Sequence, residues 1–138
     1  MRNLRLYFSS VFSVAALLLV AVPAAHAYNF FTPTSNMTGD RLNPLVVTLN
    51  NGKGLIISGY GGLGYLNTAE VYDTRTEGFT ATGTMVSSHR YGGAVTLADG
   101  KVLAIGGVES GTYLTKAEIY DPRTRSWTAA GDMPEAVS

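Results

Sequence analysis

Residues 59–64 carry the first pattern that could support chemistry. Gly59-Tyr60-Gly61-Gly62-Leu63-Gly64 is a literal G-x-G-x-x-G, the spacing of a dinucleotide-binding loop. Such a loop needs a helix after it, because the helix N-terminus faces the pyrophosphate. The residues that follow here instead lead into a strand-like segment ending at Tyr72-Asp73. We therefore interpret residues 59–64 as a flexible loop between strands, and we predict no nucleotide cofactor.

Other groups with catalytic potential are sparse. The chain has no cysteine and two histidines, and His26 lies in an N-terminal segment that we expect to be removed. His89 alone provides neither a pair of metal ligands nor a relay, so we predict no metal site, no cofactor and no catalytic residue. We interpret His89 as a solvated loop histidine, with ligand binding as the alternative. Paired carboxylates for glycoside chemistry would have to converge from separate segments.

The composition narrows the classes of partner. The chain has 138 residues, 46% of them hydrophobic, and ten acidic residues balance ten Lys and Arg. This suits one small globular domain, and no basic stripe runs along any segment. We therefore do not expect nucleic acid as a partner. The absence of cysteine excludes disulfides, thiolate nucleophiles and Cys-ligated zinc.

The N-terminal segment has the layout of a secretory signal peptide. Arg2 and Arg5 precede an apolar stretch over residues 11–22, which is followed by Pro23 and the small residues Ala25 and Ala27. The stretch is shorter than the ~20 apolar residues that a membrane-spanning helix needs. We predict a signal peptide over residues 1–27, cleavage after Ala27, and a bacterial, exported protein that is periplasmic or extracellular. After this removal we expect no membrane association.

An internal repeat organises residues 28–138. Ala69-Glu70-Val71-Tyr72-Asp73 recurs as Ala117-Glu118-Ile119-Tyr120-Asp121, an offset of 48 residues that needs no gap. Phe79 and Trp127 match at the same offset, and Phe31 occupies the corresponding position one period upstream. The segments are a partial unit over about residues 30–38, unit one over 41–85, unit two over 90–133 and the start of a linker over 134–138.

Each unit has the apolar pattern of four short strands, A to D. In unit two we predict strands over residues 92–97, 102–105, 117–120 and 126–130. We predict two-residue turns with positive φ at both positions for Asn51-Gly52 and Asp99-Gly100. Asp73 and Asp121 are predicted to close the C-to-D turns through bonds to nearby amides. Four strands in a period of this length indicate a propeller blade.

The repeat resembles the kelch repeat, a family of β-propellers. The resemblance rests on Ile105-Gly106-Gly107, on Glu118-Ile119-Tyr120-Asp121-Pro122, on Trp127 and on Met133-Pro134. It implies that the glycines allow close backbone approach and that Tyr120 and Trp127 fill the space between blades. Unit one departs from the pattern at Ser58-Gly59, Thr74 and Phe79. We therefore predict an all-β fold of two four-stranded antiparallel kelch-type blades plus one extra strand, an incomplete propeller.

Repeat positions separate structural residues from candidate ligand-binding residues. The structural set is Gly59, Glu70, Tyr72, Phe79, Gly106, Gly107, Glu118, Tyr120 and Trp127. Because strands alternate in direction, B-to-C and D-to-A loops share one rim of the blades. The candidate ligand-binding residues on that rim are Tyr60, Tyr65, His89, Arg90, Glu109 and Tyr113. Tyr65 and Tyr113 occupy equivalent positions, so packing is their alternative role. The resemblance leaves Arg90 either at a blade junction or on the binding face.

Three functions are compatible with the sequence. The first is an exported binding module that recognises carbohydrate or protein through this rim. The second is a fragment of a sugar-acting kelch enzyme, for which the resemblance suggests a mutarotase-like activity more than a galactose-oxidase-like one. The third is a truncated remnant without function. Closed propellers use about 4 to 8 blades, so we also expect that the chain needs missing blades or self-association to close a ring.

Overall fold

The computed structural model describes residues 33–136, and within this range every regular element is a β-strand. The predicted signal peptide, including Ala25 and Ala27, lies outside the described residues. So does Phe31, which marks the predicted extra strand, while residues 33–38 form no strand. No helix in the described range is long and apolar enough to cross a membrane.

Residues 45–81 form the first blade, which we call blade 1. Its strands are β1 (Leu45–Thr48), β2 (Gly54–Ile57), β5 (Ala69–Asp73) and β6 (Gly78–Ala81). They form an antiparallel sheet in the order β1-β2-β5-β6. Between β2 and β5 the chain makes a small hairpin of β3 (Tyr60–Gly61) and β4 (Gly64–Tyr65). The G-x-G-x-x-G segment is thus a hairpin and not the flexible loop of the prediction, and a strand follows it.

Residues 93–132 form blade 2 with the same topology. Its strands are β7 (Gly93–Thr96), β8 (Val102–Ile105), β11 (Lys116–Asp121) and β12 (Ser126–Asp132). The hairpin between β8 and β11 consists of β9 (Val108–Glu109) and β10 (Thr112–Tyr113). The strand register repeats as well, since Leu55 pairs with Val71 in blade 1 and Leu103 pairs with Ile119 in blade 2. All four predicted strands of unit two are present, with bounds that shift by at most two residues.

The A-to-B turns differ from the prediction of two consecutive positive φ angles. Only the glycines adopt positive φ, with 79° at Gly52 and 85° at Gly100. The amide of Gly100 donates to the carbonyl of Leu97 at 2.9 Å, and the amide of Leu97 donates to the carbonyl of Lys101 at 2.7 Å. The loop therefore has three residues, which places a left-handed glycine after an ordinary turn. A two-residue turn was the wrong expectation.

The C-to-D turns follow the predicted aspartate chemistry. The Oδ1 atoms of Asp73 and Asp121 accept hydrogen bonds from the amides of Arg75 and Arg123, each at 2.9 Å. The amide of Arg125 donates to the carbonyl of Asp121 at 2.7 Å and closes the turn. The amide of Arg123 and its guanidinium hold the pKa of Asp121 below its ordinary value. The turn-former interpretation of these aspartates is confirmed.

The hydrophobic core lies between the two blades. Leu55 and Ile57 of blade 1 are fully buried, as are Val102 and Tyr120 of blade 2. The ring of Tyr120 lies 5.2 Å from that of Trp127, whose Nε1 donates to Oγ1 of Thr82 in the segment after blade 1 at 3.3 Å. In blade 1 the corresponding rings, Tyr72 and Phe79, lie 4.8 Å apart. The aromatic pair on strands C and D therefore repeats in both blades.

The far face of blade 2 is more exposed than its counterpart in blade 1. Leu55 and Ile57 are fully buried against blade 2, while their repeat equivalents Leu103 and Ile105 are only partly buried. On strand β7, Val95 is 52% exposed. The same apolar positions are therefore buried in the core in blade 1 and partly exposed to solvent in blade 2.

Candidate functional site

Each blade uses a buried glutamate on strand C to hold the linker that precedes the blade. Glu118 accepts hydrogen bonds from the amides of Val86 and Ser87, both at 2.9 Å, and its Oε1 lies 3.2 Å from Nε2 of His89. Glu70 accepts from the amide and the hydroxyl of Thr38 and from the guanidinium of Arg41, at 2.9–3.0 Å. We call each such group a glutamate junction. The repeated position of these glutamates reflects the same structural task in both blades.

The two junctions differ in their cationic partner. His89 and Arg41 occupy the same repeat position, and each bonds both a strand C glutamate and a carbonyl after strand B. The ring Nδ1 of His89 lies 2.8 Å from the carbonyl oxygen of Gly106, while Nη1 of Arg41 donates to that of Ser58 at 3.0 Å. The interpretation of His89 as a solvated histidine is wrong, because its side chain is fully buried and both ring nitrogens are engaged. His89 is therefore out of reach of a ligand at the rim.

Hydrogen bonding controls the ionisation of the first junction. Burial on its own raises the pKa of Glu70, but the hydrogen bonds from Thr38 and Arg41 together outweigh it. The pKa of Glu70 therefore lies below its ordinary value. Since its carboxylate is buried and paired with Arg41 at 2.9 Å, it serves as a structural anion.

Three candidate ligand-binding residues meet on one rim. The guanidinium carbon of Arg90 lies 5.2 Å from the ring centre of Tyr60 and 4.6 Å from that of Tyr91. The ring of Tyr65 stands edge-on to Tyr60 at 5.3 Å. Nη2 of Arg90 donates to the hydroxyl of Tyr91 at 3.0 Å and to Oδ1 of Asn43 at 3.3 Å. We call these five residues the tyrosine–arginine cluster.

The cluster is held by tight backbone geometry. The amide of Val108 donates to the carbonyl of Arg90 at 2.8 Å, so the linker pairs with the second hairpin. Gly107, at φ 97°, lies under this linker, and a Cβ there would approach the carbonyl oxygen of Arg90 to 2.7 Å. Gly59 has a similar φ of 108°, with the carbonyl of Leu42 at 3.1 Å from such a Cβ. These positions need glycine for the close approach of two backbones.

Comparison with known proteins identifies the repeat. The family model described as the Kelch motif matches residues 89–134. This match confirms the kelch-type repeat in blade 2. No curated protein matches the sequence. Among solved structures, a fungal alcohol oxidase of the AA5 family, determined in complex with copper, is similar with a TM-score of 0.63 and 21% sequence identity.

That similarity concerns the fold. It covers 76% of this chain and 25% of the oxidase chain, so this chain spans about a quarter of the oxidase's length. The described residues do not fit the oxidase's copper. Their one histidine, His89, has both nitrogens engaged, and no group of three or more His, Cys, Asp or Glu side chains within residues 33–136 could hold a metal.

The other two rim candidates lie on the second hairpin of the kelch unit. Glu109 on β9 is partly buried and pairs with Thr112, while Tyr113 on β10 is 61% exposed and pairs with Val108. No aromatic contact joins Tyr113 to the cluster among the described residues. They flank the tyrosine–arginine cluster through the hairpin backbone and do not form part of it.

Three residues of the cluster and of the glutamate junctions were not predicted from the sequence. Tyr91 and Asn43 belong to the cluster, and both have positive φ, 62° and 54°. They occupy equivalent repeat positions but differ in residue type, so no repeated residue marks them in the sequence. Arg41 was also missed, although its match with His89 at the 48-residue offset was visible in the sequence.

Two clefts lie on the opposite rim of the blades. One of about 390 Å³ is lined by the two A-to-B turns and by residues 121–123. Its charges already have partners, since Lys101 lies 4.0 Å from Asp121, and Lys53 lies 2.8 Å from Asp73 in the adjoining cleft. These pairs recur at the repeat offset. Such repeated, internally paired charges favour a structural role, so the tyrosine–arginine cluster is the better candidate for binding.

Proposed function

We propose that this kelch-repeat protein is a binding module and that the tyrosine–arginine cluster is the centre of its ligand-binding rim. The observation that carries the proposal is the contrast between repeated and unrepeated positions. Glu70 and Tyr72 recur as Glu118 and Tyr120, but Tyr60 is replaced at the equivalent position by Val108. A feature that blade architecture requires recurs, whereas a ligand site built from unlike loops does not.

The cluster has the chemistry of a recognition surface. Tyr60 is 40% exposed and Tyr91 is 49% exposed, so each presents ring surface to solvent. Aromatic rings with polar edges suit sugars and peptide segments, because the flat face stacks while hydroxyl and amide groups orient the ligand. A carbohydrate or a protein segment is therefore the class of ligand that we propose. The cluster contains no carboxylate or histidine, and the hydroxyl of Tyr91 accepts a hydrogen bond from Arg90, so the role that we propose is binding.

The proposed setting is outside the cytoplasm. It rests on the signal-peptide pattern of residues 1–27, with its small residues Ala25 and Ala27. We further propose that more blades, from a longer chain or from another copy, cover the exposed face of blade 2 and extend the rim. The partial burial of Leu103 and Ile105, where Leu55 and Ile57 are fully buried, supports this.

A ligand survey with matched variants tests the proposed function. Arrays of neutral and acidic oligosaccharides and of peptides are probed with the wild-type chain and with Tyr60→Ala. We expect enrichment of a ligand class that is lost in Tyr60→Ala and retained in Leu63→Ala, since Leu63 is fully exposed at the tip of the same hairpin. Binding to no array member, or equal binding by both variants, contradicts the proposal.

A further inference from the structure

Arg90 carries a charge that no carboxylate neutralises within residues 33–136. Its two hydrogen bonds run from Nη2 to the neutral oxygens of Asn43 and Tyr91. None of the ion pairs within 4.0 Å in this range includes Arg90. Arg41 shows the contrast, since it makes four hydrogen bonds, one of which is also an ion pair with Glu70 at 2.9 Å. The cation of Arg90 is thus held in place without being compensated.

The guanidinium of Arg90 is pre-oriented at the surface. Tyr60 and Tyr91 lie on it at 5.2 and 4.6 Å, within the range of cation–π contact. Nε is buried without a hydrogen-bond partner, and Nη1 makes no hydrogen bond to a described residue. A stacked guanidinium loses less rotamer freedom when it binds an anion than a freely moving one does. Nη1 is the donor left for such an anion.

The fold does not require this charge. Leu42 occupies the equivalent position in the first linker and makes the same backbone pairing, with Tyr60, that Arg90 makes with Val108. Leu42 is 58% exposed and serves this backbone role without a charged side chain. The repeat does not need this cation, and no acidic side chain within residues 33–136 pairs with it. These two observations indicate a partner outside the chain.

We propose that Arg90 binds the carboxylate of a uronic-acid-type sugar, with Tyr60 or Tyr91 stacking on the sugar ring. This deepens the proposed function and rests on it. The carboxylate of a uronic acid is bonded directly to a pyranose carbon, so an anion and an apolar C–H face occur within one residue. That pairing matches a cation about 5 Å from an aromatic ring centre. Aspartate and glutamate side chains have the anion without the ring face, which favours the sugar over an acidic peptide.

Titration calorimetry on the full chain tests the assignment. The probes are oligogalacturonate, its fully methyl-esterified form and a hexaglutamate peptide. We expect oligogalacturonate to bind at least about tenfold more tightly than the ester, since the ester loses a charge-assisted hydrogen bond. We expect Arg90→Gln to bind oligogalacturonate about tenfold more weakly than wild type. Arg75→Gln, which removes an equal charge at the C-to-D turn, should bind it as tightly as wild type. Arg90→Leu, which copies the residue at the equivalent position 42, serves if Arg90→Gln does not fold.

The outcomes separate the two proposals. Equal binding of acid and ester, with loss in Tyr60→Ala, overturns the carboxylate assignment and leaves the binding rim in place. Unchanged acid binding in Arg90→Gln or Arg90→Leu also overturns the assignment. Hexaglutamate binding as tightly as oligogalacturonate overturns the choice of a sugar. If neither the acid nor the ester binds, the assignment is overturned, and failure of the array survey as well overturns the proposed function.

Discussion

Truncation of Glu118 should destabilise the protein more than any other single change to a carboxylate in blade 2. The side chain is 2% exposed and accepts hydrogen bonds from the amides of Val86 and Ser87, at 2.9 Å each. It also faces Nε2 of His89 at 3.2 Å. Nδ1 of His89 lies 2.8 Å from the carbonyl oxygen of Gly106, so both ring nitrogens have a partner. Glu118→Ala leaves all three groups without a partner.

The expected magnitude follows from the number of groups left unpaired. Each buried donor that is left unsatisfied costs about 1–3 kcal/mol. We expect Glu118→Ala to lower the free energy of unfolding by about 4 kcal/mol, a large part of the roughly 5–15 kcal/mol of a typical domain. Glu118→Gln keeps one acceptor oxygen and should cost about half as much.

Urea denaturation followed by Trp127 fluorescence measures the effect. With a urea m-value of about 1–2 kcal/mol/M, Glu118→Ala should lower the midpoint by roughly 2–4 M. Glu109→Ala is the matched control, since Glu109 makes no side-chain hydrogen bond among the described residues and should stay within about 0.5 kcal/mol of wild type. If Glu118→Ala cost less than about 1 kcal/mol, the junction would not stabilise the blade interface. If Glu118→Ala does not fold, the same comparison is made with Glu118→Gln.

Three further changes test other parts of the fold. The pKa of Glu70 is lower in the folded state than its ordinary value of 4.5. The contribution of Glu70 to the free energy of unfolding is therefore complete above pH 4.5 and is lost as the pH falls through the folded-state pKa. Glu70→Gln should flatten this acid limb of a stability–pH profile. Gly107→Ala should lower the free energy of unfolding by about 2 kcal/mol or more, because its Cβ would lie 2.7 Å from the carbonyl oxygen of Arg90. Its control, Gly111→Ala, has a φ of 80° but open space around the Cβ, so it should cost about 1 kcal/mol. Thermal unfolding measures both. Trp127→Phe loses the bond to Thr82 at 3.3 Å and should cost about 1–2 kcal/mol, and an unchanged melting temperature would contradict its inter-blade role.

The architecture was accessible from sequence because turn and strand signals recur. Two copies of each pattern placed Val102–Ile105 without error, and the all-β fold of four-stranded antiparallel sheets is confirmed. The turn at Asp99-Gly100 was located correctly but given the wrong conformation, since the sequence does not show that Leu97 pairs with Lys101. Local patterns predict where a turn occurs better than how many residues it contains.

The site was only partly accessible, because its contacts join segments far apart in the chain. Tyr60 and Arg90 were both predicted on one rim, but their stacking depends on a linker and a hairpin from different repeats. His89 was misjudged for the same reason. A single histidine in a polar segment resembles a solvated one, and its burial depends on Glu118, 29 residues away. Tyr91 differs in residue type from its repeat equivalent Asn43, so the positive φ that they share is not evident from a repeated residue.

Because of the glutamate junction, the linker that precedes a blade reports on the opening of that blade. Since Glu118 of blade 2 secures amides that follow blade 1, hydrogen exchange at Val86 and Ser87 records the opening of blade 2 and not that of the segment to which they belong. In a linear array this is a nearest-neighbour coupling, and it sets how far unfolding of one unit propagates into the next. His89 and Arg41 then represent two chemical forms of that coupling within one chain.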